Sequence, residues 1–428
     1  MVITEACGAS DGSPILPYRI KKLKMKLPKG TRDVFQEQKI AKDTVTDAIK
    51  QIFELYGFSP LETPIIETYE TLSSKYSGGS EILKETFKLK DQGERELGLR
   101  YDLTVPLARF LSLNPQIKLP FKCYQLGSVF RDGPISMNRL RQFTSCDADV
   151  IGIKSLTAEA ELLSLTEDVF KKLKIKITIK VNNRKILDSI LQELKVPEEN
   201  RDTAILIIDK LEKLTEEDIK NELKEKNIPV KFLEIINQPL SRLKLTNKEG
   251  LDELKELLKL CKSFGIKDVK PDLSLARGLN YYTGTVFEVF TKGTKEAIAG
   301  GGRYDKMIGN FVGQGDYPAV GIGFGIDRLT NLLKTDKKTP VQIYIIPIKT
   351  FTESIKIAKQ LREQGIKVDI DLNDKGISRN LDYADKLNIP YIVFIGSKEL
   401  KAKKVTLRNM KTGKEKLVTI KNIKKYII

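Results

Sequence analysis

Two carboxylates occupy alternate positions in the segment Gln142-Phe-Thr-Ser-Cys-Asp-Ala-Asp-Val150. If this segment is a β-strand, every second side chain points to the same face. One face would then carry Phe143, Ser145, Asp147 and Asp149. Because a buried carboxylate is unfavourable unless it is paired, we expect this face to line a polar cleft. An ordinary solvated sheet face is the alternative.

Three arginines surround the turn that precedes this strand. Phe130-Arg131-Asp132 ends an upstream strand, and the turn-rich residues 133–138 lead to Arg139 and Arg141. The pattern predicts a hairpin. Guanidinium groups bind phosphate oxygens through parallel hydrogen bonds, and the ring of Phe143 offers a stacking surface for a base. The hairpin is therefore a candidate nucleotide site.

Two glycine-rich segments, residues 275–288 and 299–305, stand out further along the chain. Glycine within a strand allows a ligand to approach the backbone closely. Neither segment is a Walker A loop or a dinucleotide-binding fingerprint, because the Gly-Lys-Ser/Thr sequence and the required strand and helix context are missing. Taken singly, each segment could also be a bulge or a turn.

The composition limits the chemistry that these residues can perform. The chain has no histidine, which excludes catalytic triads and histidine general bases. Its four cysteines are too far apart to predict a disulfide framework or a zinc site, and this fits a reducing cytoplasm. Any chemistry must therefore rest on arginine, lysine, carboxylates and bound ions.

The formal net charge is +17 over 428 residues, which favours a polyanionic partner such as nucleic acid. A lysine-rich surface that only keeps the protein in solution is the alternative. With 40% hydrophobic and 31% charged residues, the chain should fold as a globular protein of two to three domains. We find no signal peptide, and no apolar run approaches the ~20 residues of a membrane span.

The surrounding pattern predicts the elements that hold the candidate residues. Apolar residues at helical spacing predict a long helix over residues 36–56. Closely spaced β-rich segments predict an antiparallel sheet. Its strands would be residues 87–89, a strand with Arg100, Asp102 and Thr104 on one face, and residues 121–131, 141–151, 273–290 and 319–325. A helix over residues 326–333 follows.

The pattern also divides the chain into parts. Residues 1–26 lack periodicity and end in a basic run, which predicts a tail. Residues 27–181 and 263–335 would form an α+β core, interrupted by amphipathic helices over residues 182–262. Residues 340–428 alternate strand and helix, which predicts a small α/β domain. Its basic end is either a solvated edge or an RNA contact.

In their order and separations, these segments resemble those of class II histidyl-tRNA synthetases, from residue 27 to the C-terminus. The matching segments are residues 27–34 (the family's opening), 130–143 (class II motif 2), 275–288 and 299–305 (two histidine-specific signatures), 320–329 (motif 3) and 383–387 (anticodon-binding domain). The resemblance implies a class II catalytic core, in which helices flank an antiparallel sheet, with a helical insertion and a C-terminal α/β anticodon-binding domain.

The resemblance implies ATP-dependent attachment of L-histidine to tRNA-His through a histidyl-adenylate. Arg131 and Arg277 would flank the α-phosphate of ATP as catalytic residues. Arg139 and Arg328 would hold the distal phosphates, and Phe143 would stack on adenine. Mg²⁺ would accompany ATP, and no protein side chain is assigned to the metal. A cytoplasmic homodimer is also implied.

The resemblance further implies a set of histidine-binding residues. Asp149 and Tyr282 would contact the imidazole, and Asp102 and Thr104 would lie near the α-amino group. The remaining members are Ser145, Arg277, Tyr281 and Tyr304. Because a site built to hydrogen-bond its substrate rejects analogues without the bonding group by roughly 10⁴ to 10⁵, editing would be unnecessary.

Three positions depart from the family pattern. Ser145 stands where a glutamine is usual, Gly133 where motif 2 often has glutamate, and Asp327 where motif 3 often has glutamate. The first departure affects histidine binding, since a water would replace the glutamine's contact with the amino group. The other two affect the contacts with adenine and metal.

Three other interpretations share parts of this pattern. One is a non-catalytic relative, such as the regulatory subunit of the first histidine-biosynthetic enzyme. Such relatives generally lack the catalytic arginine and the terminal domain, and this chain has Arg277 and residues 340–428. The second is an RNA-binding or starvation-sensing module, and the third is another class II synthetase. The phosphate arginines argue against the second, and the two histidine-specific signatures argue against the third.

Overall fold

The computed structural model describes residues 25–74, 81–136, 139–211, 214–277, 281–294, 296–313, 317–333 and 335–427. Most of the predicted tail, residues 1–24, and part of the first histidine-specific signature, residues 278–280, lie outside them. The strands are β1 (Ser59–Pro60), β2 (Ile66–Thr68), β3 (Lys88–Lys90), β4 (Glu96–Leu99), β5 (Phe121–Phe130), β6 (Gln142–Ile151), β7 (Ile177–Asn183), β8 (Val269–Pro271), β9 (Thr285–Thr291), β10 (Ala299–Arg303), β11 (Ala319–Gly325), β12 (Ile343–Pro347), β13 (Val368–Ile370), β14 (Tyr391–Ile395), β15 (Val405–Asn409) and β16 (Glu415–Val418).

The helices follow apolar spacing in the sequence. In the longest one, residues at helical intervals, among them Val45, Ile49 and Phe53, are buried, and the chain leaves the helix at Gly57, whose φ is 78°. The helices are α1 (Gln36–Leu55), α2 (Tyr69–Ser74), α3 (Glu81–Lys84), α4 (Thr104–Leu113), α5 (Thr157–Lys172), α6 (Arg184–Glu193), α7 (Glu198–Ile208), α8 (Glu216–Glu225), α9 (Lys231–Ile236), α10 (Glu249–Ser263), α11 (Asp305–Val312), α12 (Ile326–Leu332), α13 (Phe351–Glu363), α14 (Ile377–Lys386) and α15 (Ser397–Ala402). None of these helices is both long and apolar enough to cross a membrane.

Within the described residues, a sheet of eight strands forms the centre of the molecule, in the order β1-β5-β6-β11-β10-β9-β7-β8. The strands from β5 to β7 in this order are antiparallel to their neighbours, and β1 and β8 pair in parallel at the two edges. The predicted antiparallel sheet is therefore confirmed, but the prediction that residues 87–89 belong to it is wrong, because β3 pairs with β4 in a separate three-stranded sheet of order β2-β4-β3. One face packs on a large apolar core that includes Phe53, Phe170 and Phe324. The other face meets a smaller cluster that includes Tyr101 and Met307.

Helices α6 to α10 lie between β7 and β8 in the chain, where the spacing predicts amphipathic helices. The chain then returns to the large sheet at β8. The following strand, β9, begins at Thr285, so the prediction of a strand from residue 273 is wrong for its first part. The Asp272 carboxylate accepts hydrogen bonds from the amide and the hydroxyl of Ser274, and these bonds favour a turn there.

The predicted strand through Arg100, Asp102 and Thr104 is also wrong. β4 ends before these residues, and Thr104 is the first residue of α4. The Asp102 carboxylate accepts a hydrogen bond from the Val105 amide at 3.0 Å. A local hydrogen bond of this kind stabilises a helix start, so it competes with the extended conformation.

Residues 343–418 contain a second sheet, in the order β13-β12-β14-β15-β16. β12 pairs in parallel with β13 and β14, and β15 and β16 continue the sheet antiparallel. This sheet has its own apolar clusters on both faces. The alternation of strands and helices agrees with the predicted α/β unit.

Candidate active site

Strand β6 places the carboxylates of Asp147 and Asp149 on one face of the sheet, as the two-residue repeat of a strand predicts. The opposite face of β6 contributes Cys146, Ala148 and Val150 to the large apolar core. On the site face, Asp149 is only 4% exposed, and its carboxylate accepts a hydrogen bond from the Tyr304 hydroxyl at 2.5 Å. Asp147 is partly exposed and accepts a hydrogen bond from the Ser145 hydroxyl. This face is a polar cleft rather than a solvated sheet face.

Glycines in the neighbouring strand β11 leave room for these carboxylates. Asp147 lies opposite Gly323, and Asp149 lies opposite Gly321. A Cβ atom at Gly321 would stand 1.9 Å from Oδ1 of Asp149, and one at Gly323 would stand 2.8 Å from Oδ1 of Asp147. Any side chain at either position would therefore displace a carboxylate. The glycine-rich pattern of β11 is a requirement of the site.

Burial raises the pKa of both carboxyl groups. For Asp149, desolvation acts first, the charge of Asp147 acts in the same direction, and the Tyr304 hydrogen bond partly opposes them. For Asp147, desolvation is again the largest cause, and the Ser145 hydrogen bond opposes it. The charge of Asp102 acts in the same direction and raises the pKa of both groups.

The raised pKa of Asp149 predicts how stability depends on pH. Between the ordinary value of 3.8 and about 8, the folded protein retains a proton that the unfolded chain releases. The unfolding free energy of the ligand-free protein therefore contains a contribution that decreases as the pH rises through this range. Asp149→Asn removes that contribution. We expect the wild type to lose melting temperature relative to Asp149→Asn between pH 5 and pH 8 in calorimetry, and a difference independent of pH would contradict the assignment.

Arg277 crosses the glycine-rich strand β10 from the loop before β9. A Cβ atom at Gly300 would stand 2.0 Å from its Nη1, so the guanidinium lies directly on the backbone of that strand. Nη1 donates a hydrogen bond of 2.9 Å to Glu288 of β9, and the guanidinium lies 5.6 Å from the centre of the Tyr282 ring. Nε is buried and has no acceptor among the described residues. Arg277 is thus fixed by Glu288 and by the β10 backbone, and 19% of its side chain remains exposed.

Arg131 is fixed on the opposite side of the cleft. Its Nε donates to the carbonyl oxygen of Tyr101 at 3.1 Å, and its guanidinium lies 5.3 Å from the centre of the Phe143 ring. Its backbone amide bonds to the Arg141 carbonyl, which holds the two strands of the hairpin together. Arg131 and Phe143 are therefore neighbours at the base of the hairpin.

Arg139 and Arg328 are more exposed and pair with nearby carboxylates. One Nη of Arg139 donates to both oxygens of Glu85, at 2.5 and 2.7 Å. Arg328 lies 3.2 Å from a Glu296 oxygen and donates to the Ala297 carbonyl at 2.7 Å. The side chains of the two arginines are 46% and 39% exposed. A polyphosphate would therefore have to compete with these surface carboxylates.

The aromatic residues assigned to histidine binding form one wall. The Tyr281 and Tyr282 rings are 4.5 Å apart, and Tyr281 meets Tyr304 edge to face at 5.9 Å. Tyr282 also covers β10, since a Cβ atom at Gly302 would lie 2.8 Å from its ring. Thr104 is buried at the start of α4.

Two of the three departures from the family pattern have a visible structural consequence. A Cβ atom at Gly133 would stand 2.5 Å from Oε1 of Glu85, so the Glu85 carboxylate occupies the space of a side chain there. Asp327 accepts hydrogen bonds from the side chains of Arg32 and Lys42, both at 3.2 Å, and from the Thr144 amide at 2.7 Å. Asp327 therefore bonds to the segment before α1, to α1 and to β6.

With this geometry established, comparisons with known proteins give consistent results. A family model described as Histidyl-tRNA synthetase matches residues 30–329, and one described as Anticodon binding domain matches residues 342–428. The chain belongs to the histidyl-tRNA synthetase family. The Histidine--tRNA ligase 1 of Bacillus cereus is 42% identical over 427 residues, which cover 95% of this chain and 100% of that protein.

Solved structures agree with the family assignment. The histidyl-tRNA synthetase from Nostoc sp. PCC 7120 superposes with a TM-score of 0.84 at 30% identity, covering 95% of this chain and 100% of that chain. A structure from Bacillus halodurans, described as an ATP phosphoribosyltransferase regulatory subunit/histidyl-tRNA synthetase, has a TM-score of 0.74 at 22% identity, covering 88% and 99% of the two chains. The second likeness concerns the fold alone.

Several residues of the site are absent from the set that the sequence predicts. Glu288 and Glu85 are the partners of Arg277 and Arg139, and Asp147 shares the cleft with Asp149. The period of β6 places Asp147 on the site face, so a signal for it exists. Glu85 carries no comparable signal, because its partner is 54 residues away in the chain.

Proposed function

We propose that this chain joins L-histidine to tRNA-His at the expense of ATP, through a histidyl-adenylate intermediate. The observation that carries this proposal is the arrangement on one glycine-lined sheet face. Arg277 lies on β10 and is held there by Glu288, while the buried Asp149 carboxylate lies on β6 with Tyr304. Such a face offers cations to a phosphate and a carboxylate to a substrate that donates hydrogen bonds.

In the first step, an oxygen of the histidine carboxylate attacks the α-phosphorus of ATP, and pyrophosphate leaves. Negative charge grows on the non-bridging oxygens of the α-phosphate in the transition state, and fixed guanidinium groups stabilise it. We assign this role to Arg131 and Arg277, because each side chain is already held by a hydrogen bond within the protein. Arg131 donates to the Tyr101 carbonyl, and Arg277 donates to Glu288. Phe143 supplies the stacking surface for adenine.

Specificity for histidine is assigned to the buried end of the cleft. The imidazole carries N–H groups that need an acceptor, and Asp149 is a carboxylate held in place by the Tyr304 hydroxyl. Tyr281 and Tyr282 provide the flat wall for the ring. An amino acid without a donor at this position would leave a buried polar group unpaired, which is the basis of strong rejection.

Arg139 and Arg328 are proposed to bind the distal phosphates of ATP after leaving Glu85 and Glu296. Mg²⁺ would enter with the nucleotide and neutralise part of its charge. The motif 3 acid, Asp327, does not fit as its ligand, because its carboxylate is already bonded to Arg32, Lys42 and the Thr144 amide. We therefore derive no step through a protein-bound metal.

The remaining proposals concern partners and location. Residues 342–428 match an anticodon-binding domain, and we propose that they contact the anticodon stem and loop of tRNA-His. A cytoplasmic homodimer is proposed from the family resemblance. We also propose that residues 27–181 and 263–335 form the catalytic core, residues 182–262 a helical insertion and residues 340–428 the anticodon-binding domain.

The regulatory relative of histidine biosynthesis is the second candidate. Its fold is compatible, but Arg277 with its Glu288 partner and the matched anticodon-binding domain favour the ligase. Charging of tRNA separates the two. Purified protein with ATP, Mg²⁺, labelled histidine and tRNA should yield acid-precipitable histidyl-tRNA, whereas histidine binding without charging would support the regulatory candidate.

A further inference from the structure

The Ser145 hydroxyl has a defined partner inside the cleft. It donates a hydrogen bond to Oδ1 of Asp147, two residues further along the same face of β6. The sequence comparison leads to the expectation that a water beside Ser145 replaces the glutamine that is usual in the family. In the structure, the Ser145 hydroxyl is bonded to a neighbouring carboxylate.

Asp147 is placed to meet a ligand. Its side chain is partly exposed, whereas Asp149 beside it is 4% exposed. It lies opposite Gly323 on one side and Gln125 on the other. The Gln125 amide donates to the Leu103 carbonyl and its oxygen accepts from the Thr63 hydroxyl, so the nitrogen and the oxygen of this side chain each have a partner beside Asp147.

No lysine or arginine forms an ion pair with Asp147 among the described residues. The charges of Arg131 and Arg100 lower the pKa of Asp147, against the effect of burial. Arg100 donates to the carbonyl oxygens of Ser128 and Thr63, and Nε of Arg131 donates to the Tyr101 carbonyl. The carboxylate thus keeps capacity for a cation that the described part of the chain does not supply.

We infer that Asp147 binds the α-ammonium group of L-histidine and that Ser145 is the residue that positions it. This inference rests on the proposed function. An ammonium group has three donors, and the partly exposed Asp147 carboxylate, which the Ser145 hydroxyl holds by a hydrogen bond, can accept from it. The side chain at position 145 therefore acts on the substrate through Asp147.

The spacing along β6 suits this substrate. Residues two apart on one strand face are about 7 Å apart, so Asp147 and Asp149 can contact two separate groups of one small molecule. In histidine, the α-nitrogen and the distal ring nitrogen are separated by several bonds and reach a similar distance. Asp149 would take the ring and Asp147 the ammonium group.

The test compares two ligands by titration calorimetry: L-histidine and imidazolepropionate, which lacks only the amino group. The wild type should prefer L-histidine, because a charge-assisted hydrogen bond adds to its affinity. Asp147→Asn should lower the affinity for L-histidine on the order of a hundredfold and leave imidazolepropionate nearly unchanged. Asp149→Asn is the matched control, because it should weaken both ligands alike.

Ser145 needs its own variants, since its role is indirect. Ser145→Ala should reduce the preference for L-histidine by about tenfold, as expected for one lost hydrogen bond, and Ser145→Thr should restore it. ATP affinity should stay at the wild-type level in every variant, which serves as the check of folding. If Asp147→Asn does not fold, the alanine and threonine pair at position 145 decides in its place.

The outcomes are distinguishable. A wild-type protein that binds neither ligand would defeat the proposed function itself. A wild type that binds L-histidine, with Asp147→Asn retaining the full preference over imidazolepropionate, would overturn the assignment of Asp147 alone. Equal preferences in Ser145→Ala and the wild type would remove the positioning role of Ser145.

Discussion

Replacing Arg277 with alanine is expected to lower the rate of histidine activation on the order of a hundred- to a thousandfold. The guanidinium is held by Glu288 and lies on the backbone at Gly300, so no reorganisation is needed when charge develops on the α-phosphate. The loss should therefore appear mainly in kcat. Single-turnover formation of the adenylate at saturating ATP and histidine would measure it.

Two variants act as controls for Arg277→Ala. Arg408→Ala also removes an arginine from an ion pair, with Glu415, but it lies in β15 of the C-terminal sheet and should activate histidine at the normal rate. Glu288→Gln keeps the arginine and loosens its position, so we expect a smaller effect. Near-normal adenylate formation by a folded Arg277→Ala protein would remove the arginine from the catalytic role.

Replacing Asp149 with asparagine is expected to reduce kcat/KM for histidine on the order of a thousandfold. Asparagine places an amide N–H donor where the carboxylate stood, so a donor can face the N–H group of the imidazole ring. Because Asp149 is only 4% exposed, water has little access to this position. The loss should be in histidine recognition, and ATP affinity should be unchanged. Steady-state activation assays over a range of histidine concentrations would measure it.

Tyr304→Phe is the matched variant for Asp149→Asn. It removes the hydroxyl that donates to Asp149 but leaves the carboxylate in place. We expect kcat/KM for histidine to fall about tenfold, which is the usual result of removing one hydrogen bond to a charged group. If Tyr304→Phe lost as much kcat/KM for histidine as Asp149→Asn, the orientation of the carboxylate, rather than the carboxylate itself, would dominate histidine recognition.

Local periodicity was sufficient to predict the strand that carries the site. Alternation in β6 places Asp147 and Asp149 on one face because side chains in a strand repeat every two residues. The same reasoning fails for Arg100, Asp102 and Thr104, where alternate spacing coincides with a helix start. The Asp102 hydrogen bond to the Val105 amide shows the competing signal, and Pro106 in the first turn of α4 is compatible with it.

The ion pairs of the site could not be predicted from local patterns. Glu85 and Glu296 pair with arginines that reach them through the tertiary fold, and nothing in their immediate sequence marks them. Glu288 lies within the glycine-rich segment 275–288, but the pattern does not show that it pairs with Arg277. The role of the glycines could be predicted only in part from the sequence. The sequence shows that β10 and β11 are rich in glycine, but only the structure shows that Gly321 leaves room for Asp149 and Gly300 for Arg277.

The measurement that tests the central claim most directly is ATP–pyrophosphate exchange by the purified chain with each of the twenty amino acids in turn. Exchange reports formation and reversal of the aminoacyl-adenylate, so it examines the phosphate arginines and the amino-acid pocket together. We predict exchange with histidine alone. Exchange with a different amino acid, or none with histidine although histidine still binds, would contradict the account.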